Sequence, residues 1–145
     1  MPKTAEKNSA KTKSVRLYVA ENSTRKDRLI IYKKWMAQED LKLRKLHESQ
    51  SSGMKVVRAR SQVIDHLLLH MFAYDMKTFE VEFGNLPFAT GILALGGYGR
   101  AEMCPYSDVD IMFLYPKKVR AKILPKFQEV FTEKILYMLW DLGFK

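Results

Sequence analysis

Two carboxylates, Asp108 and Asp110, stand one residue apart at the start of an apolar run, residues 111–114. Side chains alternate between the two faces of a β-strand, so these carboxylates are expected on one face, about 6 to 7 Å apart along the chain. The same alternation predicts that Met112 and Leu114 continue this face inward. Carboxylate oxygens are ligands that hard cations such as magnesium prefer. The pattern therefore predicts a divalent-metal site at the mouth of a strand.

A glycine turn precedes the carboxylates. A short apolar run, residues 92–95, has no helical period and stops at Gly96-Gly97, and ten residues separate Gly97 from Asp108. Glycine permits a tight turn and a close backbone approach, and bare backbone N–H groups suit phosphate oxygens. Asp-x-Asp alone is typical of a surface turn after a bend. The glycines, the spacing and the two flanking strands together favour a site for metal ions and phosphates, as a nucleotidyl displacement requires.

The run Gly-Gly-Tyr-Gly-Arg-Ala-Glu-Met-Cys-Pro-Tyr-Ser-Asp-Val-Asp, residues 96–110, resembles the bacterial PII uridylyltransferase/uridylyl-removing enzymes. Its glycine pair and Asp-x-Asp are also similar to the signature of the DNA polymerase β nucleotidyltransferase superfamily. The close likeness covers about 25 residues around this run, and a weaker one extends over the preceding helices and the Leu-Trp-Asp-Leu-Gly ending. The superfamily signature is moderately specific, whereas the extended run is strongly specific.

The resemblance implies roles for the carboxylates and the glycines. Asp108 and Asp110 would hold two magnesium ions, which bind the triphosphate and lower the pKa of the attacking hydroxyl. The backbone N–H groups of Gly96 and Gly97 would cradle the β- and γ-phosphates. Many relatives have serine at the second glycine, so Gly97 lacks one hydroxyl contact to phosphate. A third carboxylate is expected on a later strand, beyond Lys145.

Two further residues of the run have two interpretations each. Arg100 makes either a charge-assisted contact to the triphosphate or a salt bridge to Glu102. Ser107 either caps the loop or contacts phosphate, and the loop role is favoured. Tyr98 and Tyr106 are expected to shape the loop.

The resemblance implies a magnesium-dependent reaction in which a tyrosine of the nitrogen-regulatory PII protein attacks the α-phosphate of UTP. UMP is transferred and pyrophosphate leaves. The choice of uridine and of a protein acceptor rests on the resemblance alone. Alternatives are another nucleotidyltransferase, such as an adenylyltransferase, and a non-catalytic nucleotidyltransferase-like module that binds a partner. The two long N-terminal helices argue against a minimal, antitoxin-type nucleotidyltransferase.

Composition limits the class of protein. The 145 residues, 47% apolar and 28% charged, suffice for one globular domain with a core. No apolar run approaches 18 residues and no secretory signal precedes the first helix, so no membrane association is expected. The single cysteine, Cys104, excludes an internal disulfide and fits a reducing, cytoplasmic location.

The net charge of +9 is concentrated at the front of the chain. Residues 1–60 contain 16 Lys and Arg against 6 Asp and Glu, and residues 61–145 contain 9 against 10. A basic surface could attract nucleic acid or an acidic partner. The basic residues lack an aromatic platform and match no nucleic-acid reader motif. A solvated tail and helix face is therefore favoured over a specific nucleic-acid site.

The chain divides into a basic, disordered tail (1–14), a helical region (15–83) and the first part of a nucleotidyltransferase domain (84–145). Apolar spacing predicts helices over about 24–48, where Thr24 and Asp27 form a capping box, and over about 54–79. A last helix should begin near Pro125 and stop at Gly143. The expected fold is α/β or α+β, a nucleotidyltransferase fold with N-terminal helices and a small mixed sheet. Two strands make a poor sheet, so the chain is interpreted as an N-terminal fragment of a longer enzyme.

Overall fold

The computed structural model describes residues 16–118 and 123–145, and these form an α+β arrangement in which long helices support a two-stranded sheet. The predicted tail, residues 1–14, lies outside the described residues. In chain order the elements are α1 (Arg25–Glu48), α2 (Gly53–Phe83), β1 (Gly91–Ala94), α3 (Gly96–Gly99), β2 (Ile111–Leu114), α4 (Leu124–Phe127), a π-helical turn (Gln128–Glu133) and α5 (Lys134–Asp141).

Helix α1 begins where its capping box predicts. The Thr24 hydroxyl accepts a hydrogen bond from the Asp27 N–H at 3.2 Å, and the Asp27 carboxylate accepts from the Thr24 N–H at 3.2 Å. These bonds satisfy amides that the first turn leaves without a helical partner. The hydrogen bonds from Thr24 also lower the pKa of the Asp27 carboxyl. The predicted helix over 24–48 is confirmed at both ends.

Helix α2 runs four residues further than the sequence predicts. It starts after the N-cap Ser52, whose hydroxyl accepts from the Lys55 N–H, and ends at Gly84 with φ +81°. The extra turn is held by packing, because the Phe79 and Phe83 rings lie 5.0 Å apart. No helix-breaking residue occurs before Gly84, so the helix continues to the first one.

The core joins α1, α2 and α5, with a second apolar cluster at the far end of α2. One buried ion pair crosses the first interface, where Arg28 Nη1 lies 2.9 Å from Asp75 Oδ1. Burial raises the pKa of the Asp75 carboxyl, and the Arg28 guanidinium opposes this shift. Tightly buried core residues are Tyr32, Ile64, Leu67, Met71, Ile135 and Leu139 in the first cluster and Phe79, Phe127, Val130 and Phe131 in the second.

Strands β1 and β2 pair antiparallel, with Ala94 opposite Ile111 and Gly91 opposite Leu114. In the described part of the chain the sheet has these two strands, so it is not itself mixed. The expectation that Met112 and Leu114 point inward is wrong, since they are 45% and 47% exposed. The carboxylates two and four residues earlier are charged and stay in water, so the face they share with Met112 turns outward. The opposite face packs on the core through Val109, Ile111 and Phe113.

The last helical segment returns the chain to the start of β2. Pro125 lies in its first turn, as predicted. Gly143, with φ +91°, stops it, and the Phe144 N–H donates to the Leu139 carbonyl at 3.0 Å. The next residue is Lys145, whose carbonyl accepts from the Val109 N–H at 3.0 Å. The end of this helix therefore braces the Asp-Val-Asp stretch.

Candidate nucleotide and metal site

The turn after β1 brings backbone and carboxylate together. Gly96 has φ +56°, a conformation that favours glycine. A Cβ added there would lie 2.7 Å from Asp110 Oδ2, so a side chain at this position would collide with the carboxylate. Gly96 and Asp110, fourteen residues apart by number, therefore meet at one point. The antiparallel pairing of β1 and β2 brings these two residues together. Just past the paired residues, the Leu95 N–H donates to the Asp110 carbonyl at 2.9 Å.

The other two glycines of the turn differ from each other. A Cβ at Gly99 would lie 2.6 Å from the Ala94 carbonyl oxygen, so the turn folds back tightly against the end of β1. A Cβ at Gly97 would meet its nearest atom, the Glu102 carbonyl oxygen, at 3.6 Å, an ordinary contact. The serine expected at this position in many relatives would therefore fit here without strain.

Asp108 and Asp110 lie in the extended stretch before β2, and both are exposed. Val109 between them is buried, and its N–H is bound by the Lys145 carbonyl. The buried valine fixes the backbone while its neighbours remain in solvent. Within residues 16–118 and 123–145, no side-chain hydrogen bond or salt bridge engages either carboxylate. Both are therefore available to a cation.

The donor chemistry of this pair fits magnesium. Magnesium is commonly held by one or two protein carboxylates together with water and substrate phosphates, rather than by a complete protein cage. In the described part of the chain, no group of three or more His, Cys, Asp or Glu side chains could hold a metal ion.

Arg100 contacts the turn and a neighbouring carboxylate. Its Nη1 donates to the Gly96 carbonyl at 3.0 Å, and its Nε lies 3.2 Å from Glu102 Oε2. The salt-bridge alternative is therefore present, in a pair that is 67% and 41% exposed. The triphosphate contact stays a prediction, and the bond to the Gly96 carbonyl keeps Arg100 beside the glycine turn.

Ser107 closes the loop that leads to the carboxylates. Its hydroxyl donates to the Cys104 carbonyl at 2.8 Å, and its N–H lies 3.3 Å from the same oxygen. The exposed Tyr106 beside it has φ +65°. This geometry agrees with the favoured loop role, whereas a phosphate contact stays untested.

Curated relatives match most of this chain. A protein of Erythrobacter litoralis is 38% identical over 102 residues, which are 70% of this chain and 11% of that protein. A protein of Caulobacter vibrioides is 39% identical over 101 residues, 68% of this chain and 10% of its own length. One from Cereibacter sphaeroides is 54% identical over 54 residues, 37% of this chain and 5% of that protein. Each is named a bifunctional uridylyltransferase/uridylyl-removing enzyme.

The chain is a homologue of these enzymes. The resemblance inferred from residues 96–110 is thereby confirmed. The chain spans about a tenth of the length of the relatives it matches. No family model matches it, and no solved structure matches it.

Sequence reasoning missed the contacts that helix α2 makes with the uridylyltransferase-like run. The Tyr98 hydroxyl donates to Asp65 Oδ1 at 2.7 Å, and the Met103 N–H donates to the Ser61 hydroxyl at 3.2 Å. No local pattern marks Asp65 or Ser61, because their partners lie 33 and 42 residues further along the chain.

A groove of about 710 Å³ lies elsewhere, between the segment before α1 and the second half of α2. Its lining includes Arg28, His70, Tyr74 and Asp75 and none of the predicted site residues. Most of its charges are already paired, as in Arg28–Asp75 and Lys77–Glu21. The chemistry therefore points to the glycine turn and the carboxylates rather than to this groove. The structure also contains, in its described ranges, no helix long and apolar enough to cross a membrane.

Proposed function

We propose that this chain carries the nucleotidyl-transfer site of a uridylyltransferase. In this reaction UMP passes from UTP to a tyrosine of the PII signalling protein, and pyrophosphate is released. One observation carries the proposal: the glycine turn and Asp110 meet so closely that a Cβ at Gly96 would lie 2.7 Å from the carboxylate. A triphosphate bound by the turn would thus lie beside the metal ligands. The names of the relatives support uridylyl transfer in particular.

In this proposal the residues of the site have three roles: binding phosphate, holding metal ions and adding positive charge. The amides of Gly96 and Gly97 bind the β- and γ-phosphates, since neither amide has an acceptor among the described backbone hydrogen bonds. Asp108 and Asp110 hold two magnesium ions, which when bound neutralise phosphate charge and favour an ionised acceptor hydroxyl. Arg100, placed by the Gly96 carbonyl, adds a positive charge beside the leaving pyrophosphate.

The bonds made and broken are those of the proposed transfer. The phenolic oxygen of the acceptor forms a bond to the α-phosphorus, and its proton passes to solvent. The bond from the α-phosphorus to the bridging oxygen breaks, and pyrophosphate leaves with that electron pair. The turn and the carboxylates hold the reacting groups in line, which removes much of the entropic barrier.

The test is calorimetric titration of magnesium with UTP, ATP and CTP into this chain and into any longer native product of its gene. We expect UTP to bind best. Replacing both carboxylates, Asp108→Asn with Asp110→Asn, should weaken magnesium-dependent binding about tenfold or more, because magnesium would lose both of its charged protein ligands. Glu39→Gln is the control, since Glu39 pairs with Lys42 within α1 and belongs to none of the segments that form the site. Its affinity for UTP should equal that of the unaltered protein.

The outcomes separate the candidate functions. Preference for ATP would replace uridylyl transfer by adenylyl transfer at the same site. Unchanged binding in the double Asn variant would remove the metal assignment. If no form of the protein binds any nucleotide, the non-catalytic, partner-binding alternative becomes the better account. Transfer of labelled UMP to PII by the full native enzyme then tests the acceptor.

A further inference from the structure

Within the glycine turn itself, a single residue has a side chain that can anchor it. Three of the four residues of α3 are glycines, and the fourth is Tyr98. An isolated helical turn is unstable in water, because forming it fixes several dihedral angles for one hydrogen bond. Tyr98 is 6% exposed and packs within the main core cluster. The position of the turn therefore depends heavily on what holds the tyrosine.

Helix α2 supplies that support at two points. The carboxylate of Asp65 accepts the Tyr98 hydroxyl at 2.7 Å, and the hydroxyl of Ser61 accepts the Met103 N–H at 3.2 Å. Ser61 and Asp65 are four residues apart, so they lie on neighbouring turns of one helix face. Ser61 is itself buried, and its hydroxyl donates to the Val57 carbonyl at 3.0 Å. Both contacts therefore come from a rigid element.

The two contacts lie on either side of one residue that departs from ordinary backbone geometry. Between Tyr98 and Met103 lies Ala101, which has φ +56°, a costly conformation for a residue other than glycine. Arg100 precedes it and reaches back to the Gly96 carbonyl. Such a conformation persists only where its surroundings determine it, and here the fixed ends do so.

We propose that Asp65 and Ser61 are positioning residues that hold the glycine turn and the following loop in the phosphate-binding arrangement. This inference rests on the proposed function, in which the turn binds the triphosphate. Neither residue touches the nucleotide. Asp65 acts through Tyr98 on the amides of Gly96 and Gly97, and Ser61 acts through Met103 on the far end of the loop.

The chemistry of the Tyr98 contact suits a permanent support. Burial, followed by the hydrogen bond to Asp65, raises the pKa of the Tyr98 hydroxyl. The phenol therefore stays protonated and remains a donor throughout the physiological pH range. A hydrogen bond to a carboxylate is also stronger than one between neutral groups.

The experiment compares Tyr98→Phe, Asp65→Ala, Asp65→Asn and Ser61→Ala in this chain and in the full native protein. Two quantities are measured: amide hydrogen exchange of residues 96–103 without ligand, and the dissociation constant for magnesium-UTP. Tyr74→Phe is the matched control, because the Tyr74 hydroxyl also leaves α2 to donate to a backbone carbonyl, that of Ser23, at 3.2 Å. Like Tyr98→Phe it removes one phenolic oxygen, but from a tyrosine of α2 whose partner is Ser23 rather than a residue of the turn or its support.

We expect Tyr98→Phe and Asp65→Ala each to speed exchange in residues 96–103 and to weaken UTP binding about tenfold, the size of one charged hydrogen bond. Asp65→Asn keeps an acceptor oxygen and should restore binding to within about threefold. The double variant Tyr98→Phe with Asp65→Ala should be no weaker than either single variant, because both remove one contact. Ser61→Ala should speed exchange at Met103 in particular.

A merely structural role would give a different result. It would lower the folded fraction in all variants, the Tyr74→Phe control included, while the remaining folded protein bound UTP with unchanged affinity. That result, or unchanged exchange in residues 96–103, would overturn the inference whatever the nucleotide does. If exchange accelerates as expected but the unaltered protein binds no nucleotide, the support by α2 stands and the proposed function fails.

Discussion

Two arginine–carboxylate pairs show how differently the two ends of this molecule are built. Arg28 and Asp75 join α1 to α2 at 2.9 Å, with side chains only 10% and 4% exposed. Arg100 and Glu102 lie beside the glycine turn at 3.2 Å, with side chains 67% and 41% exposed. The Arg28–Asp75 pair is closed off from solvent, and its two side chains bind each other. Those at the turn remain accessible to a ligand.

We expect the helical end to determine the stability of the fold and the glycine turn to determine ligand binding. The helical end is held by buried apolar side chains and one enclosed ion pair, whereas the site end is held mainly by backbone hydrogen bonds and by contacts from α2. Substitutions in the first region should change the free energy of unfolding and leave ligand affinity alone. Substitutions in the second should do the reverse.

The largest effect is expected from Arg28→Met. It leaves the Asp75 carboxylate buried without its partner and also removes the guanidinium from the Tyr74 ring, 4.7 Å away. The free energy of unfolding should fall by about 3 to 5 kcal/mol, as for other broken buried pairs. Urea denaturation measures it, and UTP affinity of the folded fraction should not change.

A paired variant sharpens this test. Arg28→Met with Asp75→Leu removes both charges, so it should recover most of the loss. If the paired variant is as unstable as Arg28→Met alone, the cost comes from lost packing rather than from the unpaired carboxylate.

The next largest effect is expected from Gly96→Ala, and it should have the opposite character. The left-handed backbone costs a non-glycine residue about 1 to 2 kcal/mol, and the added Cβ meets Asp110 Oδ2 at 2.7 Å. The carboxylate is exposed and can turn away, so stability falls modestly. UTP affinity should fall at least tenfold, because the carboxylate leaves its position beside the turn.

Gly53→Ala is the control for this substitution. Nothing lies within 4 Å of a Cβ at Gly53, which is the first residue of α2. Its UTP affinity should not change, and its stability should rise slightly because alanine favours helix. Equal loss of affinity in both variants would contradict the close approach of Gly96 to Asp110.

Local features of the fold could be predicted from the sequence, and features that depend on distant partners could not. The start of α1 follows from Thr24 and Asp27, three residues apart, and the stop at Gly143 follows from one residue. Alternation placed Asp110 and Met112 on one face, but it does not say which face turns inward. The charges decide this, because Asp108 and Asp110 stay in solvent and Met112 therefore faces outward with them.

In the candidate site, too, residues that are close in sequence could be predicted and residues with distant partners could not. The glycines and carboxylates are close in sequence, so their spacing and the flanking strands mark them as a candidate site. Asp65 is not marked by any spacing, since its role comes from the packing of α2 under the turn. A side chain that acts through a residue 33 positions away is visible only in the folded chain.

A smaller effect is expected at the helical end when the pH falls. Burial lowers the pKa of His70, whose ring lies 3.3 Å from the Tyr32 hydroxyl. The unfolded chain takes up this proton first, near pH 6.5, so the free energy of unfolding should fall as the pH drops from 7 to 5.5. His70→Gln should show a shallower fall in urea denaturation across this range.

His66→Gln is the control for the pH effect, because His66 lies one turn earlier on α2 and is exposed. It should follow the unaltered protein at every pH. Parallel curves for His70→Gln and the unaltered protein would mean that another group causes the loss.

The smallest effect is expected from Glu102→Gln, at the exposed pair. Solvent and salt screen a pair this open, and such pairs typically contribute between zero and about 1 kcal/mol. Arg100 also keeps its bond to the Gly96 carbonyl when the carboxylate is gone. The free energy of unfolding, measured in urea at low and at high salt, should therefore change by less than about 0.5 kcal/mol. If Glu102→Gln lowered the free energy of unfolding as much as Arg28→Met does, the exposed pair would stabilise the protein as strongly as the buried pair. The contrast between the two ends of the molecule would then be wrong.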